Sequence, residues 1–133
     1  MKLTLEVLSG KIGVCKLDAQ SIVPTWAGQG KFFSITKTME ELSIVCSEVN
    51  IPKDVLCERG WMIFKVQGTL DFGLVGILAK ITAALANAGL SIFAVSTYNT
   101  DYILVKEKDL EDAIIALRND GHEIIQGSKI DLI

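Results

Sequence analysis

The feature that most constrains the fold of this chain is a stripe of apolar residues at helical spacing in its second half. Asp71 stands just before the stripe as a candidate N-cap or first-turn acid. Gly89 stands just after it, where a residue in left-handed conformation commonly ends a helix. The pattern predicts an amphipathic helix that begins at Leu74. The stripe consists of Leu74, Ile77, Leu78, Ile81, Leu85 and Ala88.

Strand-like segments surround this helix. Residues 61–68 are rich in β-formers, and residues 90–97 and 102–106 form two further runs that are separated by a polar turn. Asp109 opens a second helical pattern, and residues 122–125 supply a last short strand. The order strand, helix, strand, strand, helix, strand predicts a four-stranded antiparallel sheet with both helices on one face, which is the ferredoxin-like arrangement.

The first half of the chain repeats part of the second. A shift of sixty positions superposes residues 33–36 on 93–96 and residues 41–45 on 101–105 without a gap. Such a match at a fixed offset indicates duplication.

The rest of the first half is shorter than its counterpart. Residues 11–30 contain a strand-like run and a brief turn in place of the long helix, and residues 51–56 are interpreted as a vestigial second helix. We therefore predict an α+β fold of two ferredoxin-like units with antiparallel sheets, the first of them abbreviated. The N-terminal unit is placed in residues 1–60 and the C-terminal unit in residues 61–133. No flexible linker separates them, so they are expected to pack rigidly together.

Composition and charge exclude several classes of function. The formal net charge is −3 and no Lys/Arg cluster is present, which argues against nucleic-acid binding. Every apolar run is too short or too interrupted for a signal peptide or a membrane-spanning helix. The single histidine, His122, has no Cys or His at ligand spacing, so no metal or other cofactor is expected. Nucleophile elbows and phosphate loops are absent, so we predict that the chain is not an enzyme.

The cysteines indicate a cellular compartment. Cys15, Cys46 and Cys57 form no CxxC pair, and the first two lie in apolar, strand-like runs. This usage is typical of reduced, buried thiols, and it predicts a cytoplasmic location.

Two segments, residues 68–78 and 91–105, together resemble the ACT domain, the small-molecule-sensing module of amino-acid metabolism. The phrase Ser-Thr-Tyr-Asn-Thr-Asp at residues 96–101 is the most specific feature. The proline-glycine that is usual in the first loop of the family is absent, and residues 72–74 take its place. The second segment is closer to a divergent branch that occurs in tandem. It is also similar to the ACT pairs of aspartate kinase and of the animal cytosolic arginine sensor.

The resemblance implies that a free amino acid binds at an interface between two ACT units. The first loop and helix would hold one end of the ligand, and the turn after the second strand would close over it. The resemblance also implies a homodimer and, because no effector domain is attached, a separate effector protein. The implied ligand-binding residues are Thr69, Leu70, Asp71, Phe72, Gly73, Leu74, Val75, Phe93, Ser96, Thr97, Tyr98, Asn99, Thr100 and Asp101, with Ser43 and Ile44 contributed by the opposing unit.

Elementary chemistry suggests a role for these groups. Backbone N–H groups at the start of the Leu74 helix would favour a carboxylate, and Asp101 with turn carbonyls would favour an ammonium. Asp71 either caps the helix or faces the ligand, and in the second case it would prefer an amine. Residues of these types are also common at helix N-caps and in turns, where they need not bind a ligand. The alternative function is therefore an interaction subunit that binds a partner protein without a small ligand.

Overall fold

A computed structural model of the protein describes residues 2–68 and 75–126. Within these ranges the chain forms one seven-stranded sheet and two α-helices. The strands are β1 (Thr4–Leu17), β2 (Phe33–Lys37), β3 (Leu42–Ser47), β4 (Cys57–Val66), β5 (Ile92–Ser96), β6 (Asp101–Lys106) and β7 (Glu123–Ile125). The helices are α1 (Ile77–Asn87) and α2 (Leu110–Asn119), and short 3-10 turns occupy Thr25–Gly28, Glu48–Asn50 and Glu107–Asp109. None of the described helices is both long and apolar enough to cross a membrane.

Strand β1 joins the two halves of the sheet. The strand order is β2-β3-β1-β4-β6-β5, and β7 also pairs with β1. The first residues of β1 lie between β4 and β7, whereas residues 12–17 pair with β3. The register against β4 shifts twice between Leu8 and Val14, and such irregularities bend a strand and increase its twist.

The predicted fold class is confirmed, with one difference in pairing. The second half follows the expected strand, helix, strand, strand, helix, strand order. However, β1 is inserted between β4 and the final strand, and β7 runs parallel to β1 at Thr4–Glu123 and Glu6–Ile125. Leu5 is fully buried at this position, so the inserted strand contributes core that the second half alone lacks.

Both helices pack on one face of the sheet, as predicted. Ile81 and Leu85 of α1 and Leu117 of α2 are fully buried against Phe64 and Val66 of β4. The helical stripes therefore form the main core.

The helix ends differ in part from expectation. Helix α1 begins at Ile77 rather than Leu74, because Gly76 precedes it with a left-handed φ of 81°. Gly89 has a φ of 79° directly beyond the helix, as predicted. Asp109 is the residue before α2, but its side chain makes no capping hydrogen bond there.

The opposite face of the sheet carries a second core. Side chains alternate along each strand, so Ile63 and Leu104 face away from the helices, together with Trp61. Phe93 of β5 packs on Trp61 with ring centroids 6.3 Å apart. This core brings the far strand of the second half next to the first half.

The first half matches the repeat prediction in its strands but not in its last segment. Strands β2 and β3 form where the sixty-residue shift places them. Residues 51–56 form turns, and the vestigial helix predicted there is replaced by the 3-10 turn at Glu48–Asn50 just before them. Ile51 is buried beneath these turns in a third cluster with Ile44 and Cys46.

Candidate functional site

Two adjoining cavities lie between strands of the first half and β5 of the second half, and the larger one is also lined by residues of β1 and β4. One has a volume of about 600 Å³ and the other of about 240 Å³. Thr36, Ser43 and Phe93 line both cavities, so the two are adjacent, and we call them together the interstrand crevice. Its volume is within the range of small-molecule sites in proteins.

Hydroxyl groups line one wall of the crevice. Thr36 of β2 and Ser43 of β3 are directly opposite each other in the antiparallel ladder, so their side chains project from the same face. Ser34 of β2 and Ser96 of β5 line the smaller cavity from its two sides. These groups can donate and accept hydrogen bonds at a position where two halves of the chain meet.

Charged groups of both signs line the larger cavity. They are Lys16 of β1, Glu58 of β4 and Glu41 at the start of β3. Lys16 is the ladder partner of Ser43, and Glu58 is the partner of Val14. Within residues 2–68 and 75–126, none of the three charged groups forms an ion pair. The crevice therefore offers one cation and two carboxylates that have no protein counter-ion.

Ser96 and Asp101 form a hydroxyl–carboxylate pair at one end of the crevice. The two residues are ladder partners on β5 and β6. The Ser96 Oγ donates a hydrogen bond of 2.5 Å to Asp101 Oδ1. This bond fixes one oxygen of the half-buried carboxylate.

The turn between β5 and β6 is anchored to the end of β4. The Thr97 backbone N–H donates to the carbonyl of Thr100 at 2.8 Å, which closes the turn. The Thr100 hydroxyl, which is almost fully buried, donates to the Val66 carbonyl at 2.8 Å. Tyr98 and Asn99 lie at the tip and are exposed. The turn is therefore held beside the point where the chain leaves β4.

The residues implied by the resemblance fall into three groups. Phe93, Ser96 and Ser43 line the crevice, and Asp101 with the turn at residues 97–100 lies at its end. Val75 is exposed, and Ile44 is fully buried in the third cluster, on the opposite side of β3 from Ser43. The remaining six, Thr69, Leu70, Asp71, Phe72, Gly73 and Leu74, lie outside the described residues.

Thr36 and Glu41 also line the crevice, although neither was predicted to be a site residue. The sixty-residue shift that relates the two halves places Thr36 on Ser96 and Glu41 on Asp101. Carrying the candidate residues across the repeat would have identified both. Lys16 and Glu58 have no such signal, because their place depends on how β1 pairs with its neighbours.

A metal site is not supported among the described residues. No group of three or more His, Cys, Asp or Glu side chains there is arranged to hold a metal ion. The buried His122 instead accepts the Leu3 backbone N–H at Nδ1 (3.1 Å) and pairs with Asp120 Oδ2 through Nε2 (3.1 Å).

Comparison with known proteins identifies the family. The model of the ACT domain matches residues 56–119, which include β4, both helices and the turn beside the crevice. Residues 56–119 belong to the ACT domain family. A second model, described as an N-terminal domain, matches residues 10–54.

Related proteins agree with this assignment. The crystal structure of a protein from Agrobacterium tumefaciens is 39% identical, with a TM-score of 0.92 and 98% of each chain covered. The human cytosolic arginine sensor for mTORC1 subunit 1 is 33% identical over an alignment 98 residues long, which covers 65% of this chain and 30% of the sensor. This chain thus spans under a third of that relative.

A more distant neighbour shows the fold alone. The regulatory subunit of aspartate kinase from Thermus thermophilus has a TM-score of 0.60 at 10% identity, with 88% of this chain and 94% of that subunit covered.

Proposed function

We propose that this ACT protein is a non-catalytic regulatory module that binds a free amino acid in the interstrand crevice. The observation that supports this most directly is the presence of hydroxyl groups and uncompensated charges of both signs in one cavity between the two repeats. A free amino acid carries a carboxylate, an ammonium and a side chain, and the crevice has a matching group for each.

The charged groups suggest how the ligand is oriented. Lys16 is placed to attract the ligand carboxylate, and Glu41 and Asp101 are placed to attract its ammonium by charge-assisted hydrogen bonds. Phe93 and Val14 supply apolar surface for the ligand side chain. Residues 69–74, which follow β4 in the sequence, are proposed to hold one end of the ligand.

The wider organisation follows the same proposal. We place the boundary between the two units near residue 60, with the protein in the cytoplasm as a homodimer that signals to a separate effector. Strands β2 and β5 are the ends of the sheet order, and Phe33 and Ile35 on β2 are exposed apolar residues, which favours pairing with another chain. The arginine sensor named above is a regulatory relative, which supports this role.

A thermal-shift screen against the twenty amino acids tests the proposal. A ligand that binds only the folded state at one hundred times its Kd stabilises the protein by about 2.7 kcal/mol, which is readily detected. Asp101→Ala is expected to abolish the response while the far-UV circular dichroism stays unchanged. Asp112→Ala, on the exposed surface of α2, is the matched control and should keep the full response.

The alternative is a subunit that docks on a partner protein and has no small ligand. The observation that favours it is a set of exposed apolar side chains on the first half, namely Ile22, Met39, Val49 and Leu56. A flat thermal response to every amino acid at millimolar concentration would contradict ligand binding and support this alternative.

A further inference from the structure

The three cysteines converge on one side of the sheet. Cys15 lies on β1, Cys46 on β3 and Cys57 on β4, which are adjacent strands. Both of the other thiols influence the pKa of Cys15. Cys15 and Cys46 are buried, whereas Cys57 is partly exposed. The cluster therefore combines two protected thiols with one that solvent can reach.

Gly13 provides the space for this cluster. It is the ladder partner of Cys46 and lies two residues before Cys15, on the same face of β1. A Cβ atom at this position would be 2.7 Å from the Cys57 Sγ and 2.4 Å from the Ile51 Cδ1. The Cys57 sulfur thus occupies the space that a side chain on β1 would fill, and it points toward that strand.

The strand register selects one pair of cysteines. Cys15 and Cys57 are direct ladder partners on β1 and β4. The next pair, Lys16 and Leu56, is hydrogen-bonded, since the Lys16 N–H donates to the Leu56 carbonyl at 3.1 Å. Hydrogen-bonded and non-hydrogen-bonded pairs alternate in an antiparallel ladder, so Cys15 and Cys57 form a non-hydrogen-bonded pair.

That pair type suits a disulfide. Its Cα atoms are typically about 4.5 Å apart, which lies within the roughly 4.4–6.8 Å that disulfides span. Cys46 is diagonal to Cys15, because its own partner is Gly13. Diagonal neighbours are about 7–8 Å apart, which is too far for a disulfide without movement of the backbone.

We propose that Cys15 and Cys57 form a reversible cross-strand disulfide, which is a redox modification site beside the interstrand crevice. Both residues border the larger cavity, but their side chains lie in the third cluster, on the side of the strands opposite Ser43. The proposal depends on the strand register and not on whether an amino acid binds.

The oxidant that we name is hydrogen peroxide. The partly exposed Cys57 thiolate attacks the peroxide, so an S–O bond forms, the O–O bond breaks, and water leaves after protonation of the departing oxygen. The Cys15 sulfur then attacks the sulfenic sulfur, an S–S bond forms, and the hydroxyl leaves as water with the Cys15 proton. Two thiols are oxidised by two electrons and one peroxide is reduced to two waters. Cys46 takes no part.

The pKa of the Cys57 thiol determines how the rate of oxidation depends on pH. Burial, assisted by the hydrogen bond with Cys15, raises the pKa of the Cys57 thiol from 9.0 to about 12. The reactive thiolate is therefore scarce at neutral pH, and oxidation should accelerate about tenfold for each unit of pH between roughly 7 and 9.

Peptide mapping of the full-length protein tests the proposal, because trypsin separates the three cysteines. Cleavage at Lys and Arg places Cys15 in residues 12–16, Cys46 in residues 38–53 and Cys57 in residues 54–59. After treatment with hydrogen peroxide and alkylation of remaining thiols, the expected result is a linked pair of the first and third peptides. The intact protein should lose two hydrogen atoms in mass, and dithiothreitol should restore both thiols.

Matched variants give the control. Cys46→Ser should form the same linked peptide, and Cys57→Ser should form none. Any of three results would overturn the proposal. The first two are a link between the peptides of Cys15 and Cys46 and a disulfide between two chains. The third is a native protein that keeps three free thiols under conditions that oxidise the urea-unfolded chain. The wild-type map needs no variant, so it stays decisive even if Cys57→Ser does not fold.

Discussion

Replacing Thr100 by valine is expected to destabilise the protein through a single hydrogen bond. Thr100 is only 4% exposed, and its hydroxyl donates to the Val66 carbonyl at 2.8 Å. Valine fills nearly the same volume, so no cavity is created, but the buried carbonyl loses its side-chain donor. A buried acceptor left without its partner costs about 1–3 kcal/mol. For a chain of this size that corresponds to a fall in Tm of roughly 4–12 °C.

Urea denaturation measures this cost, with Trp26 and Trp61 as fluorescent probes of the two halves. Thr97→Val is the matched control, because its hydroxyl belongs to the same turn but is exposed, so water can replace the lost contacts with Thr100. The control should change the free energy of unfolding by less than about 1 kcal/mol. If Thr100→Val is no less stable than Thr97→Val, the turn is not anchored to β4 in the manner described.

Three further outcomes are expected. His122→Leu removes the acceptor of the Leu3 N–H and should cost about 1–3 kcal/mol in urea denaturation, and His122→Asn should recover part of that loss. Under reducing conditions, the contribution of the protonated Cys57 thiol to the free energy of unfolding should be constant below about pH 9 and should fall as the pH rises toward 12. The reason is that the unfolded chain loses this proton at a lower pH than the folded chain does. Cys57→Ser should reduce this dependence of the free energy of unfolding on pH. Because the crevice holds more carboxylates than cations, aspartate and glutamate should give smaller thermal shifts than neutral or basic amino acids, and added salt should narrow the difference.

Much of the second half could be predicted because its elements have strong local signals. The helical stripe around Ile81 and Leu85 and the glycine at position 89 specify α1 and its end. The start of α1 was predicted three residues too early, because the left-handed conformation of Gly76 has no distinct signature in an apolar run that already contains glycine. The pairing of β7 with β1 was not predictable, because strand partners far apart in sequence are chosen by burial and not by local pattern.

The candidate site shows a similar limit. Ser43 and Ile44 were proposed together, yet neighbouring residues of a strand project to opposite faces, so one of them had to lie away from the crevice. The sequence shows the strand but not which face is turned toward the second half. The core around Trp61 and Phe93 shows which face of the strand is turned toward the second half.

The repeat gives the crevice a particular asymmetry. The sixty-residue shift equates a hydroxyl and an acid in each half, Thr36 with Glu41 and Ser96 with Asp101, but the ladder partner of Thr36 is Ser43, whereas that of Ser96 is Asp101. In the second half a hydrogen bond joins the hydroxyl to the acid, since Ser96 Oγ donates to Asp101 Oδ1. No equivalent bond joins Thr36 to Glu41 among the hydrogen bonds of the described residues. A ligand ammonium between the two halves would therefore contact the Asp101 carboxylate, which Ser96 already orients, and the Glu41 carboxylate, which Thr36 does not orient. Because ordering a free side chain costs conformational entropy, the second-half acid is the preorganised partner, and the first-half acid is the one that ligand binding would fix in place.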